Sequence, residues 1–162
     1  INLFLINIKC PVMEKLENKL KKKKIKIGIL GGSFDPAHKG HLIISREALK
    51  RFNLSFIIWA ITNQNPFKKK SSYDLKKRIN ICKKVINKNK YIKVKYFEKI
   101  INSNKTADLI NYLDKSKRYE LFFLIGADNL INFHKWYKWE NILKKSNLVV
   151  FDRHGYKKKS IN

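Results

Sequence analysis

The segment Gly31-Gly32-Ser33-Phe34-Asp35-Pro36-Ala37-His38-Lys39-Gly40-His41 constrains this chain more than any other. An apolar, β-branched run, Ile25 to Leu30, precedes it, and a helix-compatible stretch, Leu42 to Phe52, follows. Strand, glycine-rich loop and helix start, in that order, are how an α/β protein brings its backbone close to a phosphate. Glycine permits the close approach, and the first helical amides turn unsatisfied N–H groups and the positive end of the dipole toward an anion. The loop is therefore a candidate nucleotide site, with Gly31, Gly32, Ser33 and Phe34 as its phosphate-facing residues.

The loop has neither the G-x-G-x-x-G spacing of a dinucleotide fingerprint nor the terminal Gly-Lys-Ser/Thr of a Walker loop. In their place stand His38 and His41, three residues apart across Gly40. From a loop and a helix entrance both imidazoles can face one phosphate, as suits a transition state that gathers charge on phosphoryl oxygens.

Apolar and helical stretches alternate along the rest of the chain. Strands are expected at Ile25–Leu30, Phe56–Ile61, Ile92–Phe97, Glu120–Ile125 and Leu148–Phe151. Helices are expected at Leu42–Phe52, with Ile43, Ile44, Ala48 and Leu49 toward the core, at Asp74–Asn87, with a stripe of Leu75, Ile79, Cys82 and Ile86, at Ala107–Asp114, and ending at Leu143–Lys145. Such alternation predicts an α/β fold with a parallel sheet of about five strands and helices on both faces. Ligands of these sheets sit beyond the carboxyl ends of the strands, where the candidate residues fall.

Several motifs in one order resemble the H-x-G-H nucleotidyltransferases, and among them the bacterial nicotinate mononucleotide adenylyltransferases, over about residues 25 to 155. They are the Gly-Gly-Ser-Phe-Asp-Pro-x-His-x-Gly-His loop, Asn65-Pro66-Phe67-Lys68, Ile125-Gly126-Ala127-Asp128-Asn129-Leu130, His134-Lys135-Trp136 with Trp139, and Arg153-His154-Gly155. The resemblance implies a Rossmann-like nucleotidyltransferase fold and adenylyl transfer from ATP to nicotinate mononucleotide, with Mg²⁺ bridging the β- and γ-phosphates. It makes His38 and His41 the catalytic pair and Lys68 a phosphate ligand. Trp136 becomes the residue that stacks on the pyridine, while Trp139 reads as packing. Thr106, close to Asp108, resembles the Thr-x-Asp stretch beside the nicotinate pocket, and Arg153 the Arg-x-Gly of the substrate site. Asp128 can bind ribose hydroxyls or cap the next helix, and Asp35 is expected to brace its own turn.

Two departures accompany the resemblance. Ala37 stands where the family usually has proline. The family's Ser/Thr-rich segment ending in arginine, which grips the ATP triphosphate, has no counterpart before Asn162, so a C-terminally shortened or non-catalytic copy is one expectation. The sibling reading, a pantetheine-phosphate adenylyltransferase, usually has threonine at the first histidine position, which His38 and the Trp136 region speak against.

The 162 residues carry 37 Lys plus Arg against 12 Asp plus Glu, a net charge of +25. A nucleic-acid partner is the usual inference from such a balance. The joint excess of lysine, asparagine and isoleucine, scattered over every segment, fits an A/T-biased coding sequence better. Cys10 and Cys82 have no metal or disulfide spacing, which suggests reduced thiols in the cytoplasm. The apolar start, Ile1 to Ile8, is too short to span a bilayer. With Met13 the single methionine, residues 1–12 are expected to precede the natural start, and 1–24 to form a leader outside a domain of residues 25–162.

Overall fold

The computed structural model describes residues 23–64 and 71–151. The elements run β1 (Ile25–Gly32), α1 (Lys39–Phe52), β2 (Phe56–Ile61), α2 (Leu75–Ile86), β3 (Ile92–Lys95), α3 (Glu98–Ile101), α4 (Thr106–Asp114), β4 (Tyr119–Gly126), α5 (Ala127–Leu130), a 3₁₀ turn (Phe133–Lys135), α6 (Trp139–Lys145) and β5 (Asn147–Phe151). The five strands form one sheet in the order β3-β2-β1-β4-β5, with every neighbouring pair parallel. The chain steps outward from β1 in one direction, then returns to lay β4 on its other side. The crevice of a doubly wound sheet opens at that reversal, between the ends of β1 and β4.

Strand pleating sends alternate side chains into two cores. Leu30, Ile57, Trp59, Ile61, Phe122 and Leu124 pack under α1 and α2 with Ala48 and Cys82. Ile27, Ile29, Ile58, Leu121, Phe123 and Ile125 pack on the opposite face against Ala107, Ile110 and Ile142 of α4 and α6. Central strands covered on both faces explain why their sequences read as continuous apolar runs. Burying each such isoleucine or leucine contributes about 1.5–3 kcal/mol. Gly28 is required on β1 because a Cβ there would lie 2.8 Å from Ile57 Cγ1 and 3.0 Å from Leu54 Cδ1.

The five strands, the parallel order and the α2 stripe agree with the expectation from sequence. Ile43 does not face the core: it is 60% exposed, because the buried side of α1 runs through Ser45 and Ala48, flanked by Ile44, and Ile43 lies beyond that arc. Strand β3 ends at Lys95 rather than Phe97, since the chain turns there into the short helix α3, which the sequence reading lacked. Helix α1 starts at Lys39, three residues before the expected Leu42, because the histidine loop itself caps it. No helix among the described residues is long and apolar enough to cross a membrane. Of the leader expected at residues 1–24, residues 1–22 lie outside the described residues.

Candidate active site

The carboxyl ends of β1 and β4 open into a cavity of about 670 Å³, within the size range of sites that enclose a small molecule. One end is formed by the loop after β1. Gly31, Gly32, Ser33 and Phe34 line it, with His38 and His41 beyond them. Thr106, Asp128 and Trp136 line the rest, so the described residues singled out from sequence converge on one cavity. Lys68 and Arg153 lie outside the described residues, as does the Asn65-to-Lys68 motif.

The histidines hold each other and the helix. His38 is the N-cap of α1: its Nδ1 accepts from the Gly40 N–H at 3.1 Å, and His41 Nδ1 accepts from the His38 N–H at 3.3 Å. Reciprocal capping of this kind satisfies amide groups that a helix start leaves open. An Nδ1 that accepts cannot carry the proton, so in each neutral ring it resides on Nε2. Gly40 makes the arrangement feasible, since a Cβ there would stand 2.8 Å from His38 Cε1 and 2.9 Å from its Nδ1. The imidazoles lie 4.1 Å apart between centroids, and His41 packs 4.8 Å from the Phe34 ring.

Phe34 has φ of 48°, the left-handed region that a bulky residue adopts only under constraint. Its ring supplies one constraint, being 2% exposed and stacked 5.0 Å from Trp59. The side chain is therefore core, and what Phe34 can offer a phosphate is its backbone. Beneath His41, the Trp59 indole N–H donates to Ser45 Oγ and the Ser45 hydroxyl donates to the His41 carbonyl, each at 2.8 Å.

Asp35 does not brace its own turn. Its carboxylate accepts from the Ser72 and Tyr73 amides, at the far end of the β2–α2 connection. Pro36, the next residue, has no N–H to offer the carboxylate, and the Ser72 and Tyr73 amides supply the donors instead. Asp128 sits in the first turn of α5, whose N-cap is Gly126, so it does not cap that helix. The carboxylate folds over Gly126, where a Cβ would collide with it. Thr106 opens α4, and Asp108 accepts from the Ser103 hydroxyl at 2.7 Å, bracing the turn before it. Trp136 is half-buried, its ring 5.4 Å from Phe133 and 6.1 Å from Phe123, while Trp139 packs on Phe133 outside the cavity.

One residue of the cavity and one behind it are absent from the sequence reading. Glu98, at the start of α3, accepts from the Thr62 hydroxyl, from the Asn63 amide at 2.9 Å and from Tyr96 at 3.3 Å. Burial, then the Glu98 charge, pushes the Tyr96 hydroxyl above its ordinary pKa and keeps it a donor. Nothing in the local sequence marks Glu98. Arg78 is 1% exposed behind the β1 loop, and its signal was present, since it shares the helical face of Leu75, Ile79 and Cys82. Among the described residues no group of three or more His, Cys, Asp or Glu is arranged to hold a metal ion.

Residues 29–161 match the cytidylyltransferase-like family. A probable nicotinate-nucleotide adenylyltransferase of Pelagibacter ubique (strain HTCC1062) is 65% identical over 149 residues, covering 92% of this chain and 83% of the relative. Another of that name, from Ruegeria sp. (strain TM1040), is 36% identical over 130 residues, 80% of this chain and 68% of the relative. Among solved structures, Plasmodium falciparum nicotinic acid mononucleotide adenylyltransferase complexed with NaAD superposes with a TM-score of 0.70 at 21% identity, over 83% of this chain and 67% of that one. That likeness is one of fold.

Proposed function

The chain belongs to the nicotinate-nucleotide adenylyltransferase family, and on that premise we propose that its cavity transfers the adenylyl group of ATP to nicotinate mononucleotide, a step of NAD biosynthesis. The observation that carries this reading is the capped histidine pair. Both rings line one end of a cavity that Trp136 lines as well, with each Nδ1 taken up by a capping bond.

In the proposed reaction a phosphate oxygen of nicotinate mononucleotide attacks the α-phosphorus of ATP in line. The bond from that phosphorus to the bridging oxygen of the β-phosphate breaks, and deamido-NAD and pyrophosphate result. No protein nucleophile is needed, so the chain's work is positioning and neutralisation of charge. His38 and His41 would donate from Nε2 to oxygens of the α-phosphate as charge builds on them. Backbone amides of Gly32, Ser33 and Phe34, with Lys68, would take the remaining phosphate oxygens. Trp136 would stack on the pyridine, with Thr106 beside it, and Asp128 would accept from ribose hydroxyls; Arg153 is assigned to the substrate site on its motif alone.

Magnesium would enter with ATP as part of the substrate, held by phosphate and water and supplying neutralisation of the phosphate charge. The donor set suits this: of the three cavity carboxylates among the described residues, Asp35 is committed to two amides and Glu98 to Thr62, Asn63 and Tyr96, while Asp128 is the one assigned to the ribose. We assign this chemistry to one nucleotidyltransferase domain running from Ile25 onward and working in the cytoplasm, where its nucleotide substrates are found.

Pyrophosphate release with ATP and Mg²⁺ tests the reading, with nicotinate mononucleotide, nicotinamide mononucleotide and phosphopantetheine as rival acceptors. Turnover is expected with the nicotinate acceptor foremost. Preference for phosphopantetheine, or a folded chain silent with all three, would overturn it.

A further inference from the structure

Arg78 is a buried cation that the reaction as described leaves unused. Its guanidinium reaches four main-chain carbonyls in three segments: Nη1 donates to Ser33 O at 2.6 Å and Thr62 O at 2.8 Å, Nη2 to Asn63 O at 2.7 Å, and Nε to Tyr73 O at 3.0 Å. Among the described residues no carboxylate forms an ion pair with it. A charge so deeply buried is normally matched by a counter-ion, because carbonyl dipoles offset only part of its desolvation. Here the guanidinium stands behind the loop that lines the phosphate end of the cavity, with Glu98 and Asp35 no nearer than the N–H groups of Asn63 and Tyr73 whose carbonyls it binds.

The bonds also fix which way that loop's peptides point. Across the trans Ser33–Phe34 peptide the carbonyl and the N–H point in opposite directions. With Ser33 O held by the guanidinium, the Phe34 N–H is turned away from Arg78. The Thr62–Asn63 peptide shows the same geometry with both ends visible, its carbonyl on Arg78 and its N–H on Glu98 Oε1. Phe34 keeps its left-handed backbone only because something determines it, and besides the ring stacked on Trp59 that something is Arg78.

We propose that Arg78 is a positioning residue for the phosphate end of the site: by binding the Ser33 carbonyl it aims the Phe34 amide at the ATP phosphates, and its charge, which no carboxylate among the described residues pairs directly, adds attraction for them from behind the loop. The proposal rests on the adenylyl-transfer reading for the identity of the anion. A lysine at this position would keep the charge but lose the planar fork that reaches several carbonyls at once. A methionine would keep the stem and lose both.

The test compares the wild-type chain with Arg78→Lys and Arg78→Met by calorimetric titration with Mg·ATP and with nicotinate riboside, an acceptor fragment that has no phosphate. Each variant is first checked for cooperative thermal unfolding. ATP affinity is expected to fall about tenfold or more in Arg78→Met and by less in Arg78→Lys, with riboside affinity unchanged. Equal loss for both ligands in a folded variant, or no loss for ATP, would overturn the proposal by reducing Arg78 to a purely structural brace. Should Arg78→Met fail to fold, Arg78→Lys alone decides by the same comparison. ATP binding is read directly, so a wild-type chain that binds ATP but does not turn over nicotinate mononucleotide would refute the acceptor assignment while leaving the arginine tested.

Discussion

Replacing Gly40 with alanine should separate catalysis from stability. The added Cβ would lie 2.8 Å from His38 Cε1, where ordinary contact begins at 3.4 Å, so the imidazole must retreat by about 0.6 Å or leave its rotamer. The backbone of α1 cannot yield instead, because Gly40 sits in its first turn between two capping bonds. Losing the His38 cap costs about 1 kcal/mol. Alanine in place of a helical glycine returns up to about 1 kcal/mol, so the two nearly cancel. The melting temperature should move by no more than about 3 °C. With His38 in the role proposed for it, a shift of this size is worth on the order of 10- to 100-fold in turnover, while the KM for nicotinate mononucleotide, assigned to the far wall, should hold within about twofold. Steady-state pyrophosphate release and a thermal melt on the same preparation read both. Wild-type kcat in the folded variant would refute the claim that glycine is present to seat His38, and a large loss of stability would refute the compensation.

The other predictions concern single side chains. His41→Ala should lower kcat on the order of 10²–10³-fold with little change in nicotinate mononucleotide binding; an unchanged kcat would remove it from the chemistry. Trp136→Ala should weaken that binding by about 1–3 kcal/mol, the worth of one aromatic stack, and unaltered affinity would return the residue to packing on Phe133. Burial pushes the Cys82 thiol up to about 12 against the nearby Arg78 charge, so with Cys10 replaced by serine the native chain should resist alkylation at pH 8.5 and react only after unfolding. The same shift works against the fold at alkaline pH: above the ordinary thiol pKa the unfolded chain ionises and the folded one does not, so stability should fall between about pH 9 and 12. Cys82→Ala should flatten that part of the profile in a pH-dependent denaturant titration.

The sequence by itself determined the alternation of strand and helix, the parallel class of the sheet and the loop that carries the histidines. Each follows from local chemistry: β-branched runs buried on both faces, a helical stripe through Leu75, Ile79 and Cys82, and glycines between a strand and a helix start. It also marked Gly40 beside His38, although not that the ring would occupy the space of the missing Cβ. Only the tertiary structure decided what depends on residues far apart in the chain. Glu98 meets Thr62 across 36 positions and Arg78 meets Ser33 across 45, pairings to which hydrophobic periodicity is blind. Asp35 looked like a turn residue and became a clasp on Ser72 and Tyr73 for the same reason. Ile43 was placed by the rotation of α1 against the sheet, which is set by how Ser45 and Ala48 fit beneath it. Local propensity fixes which segments form; the site's charges, clasps and orientations come from contacts that exist only once the sheet has closed.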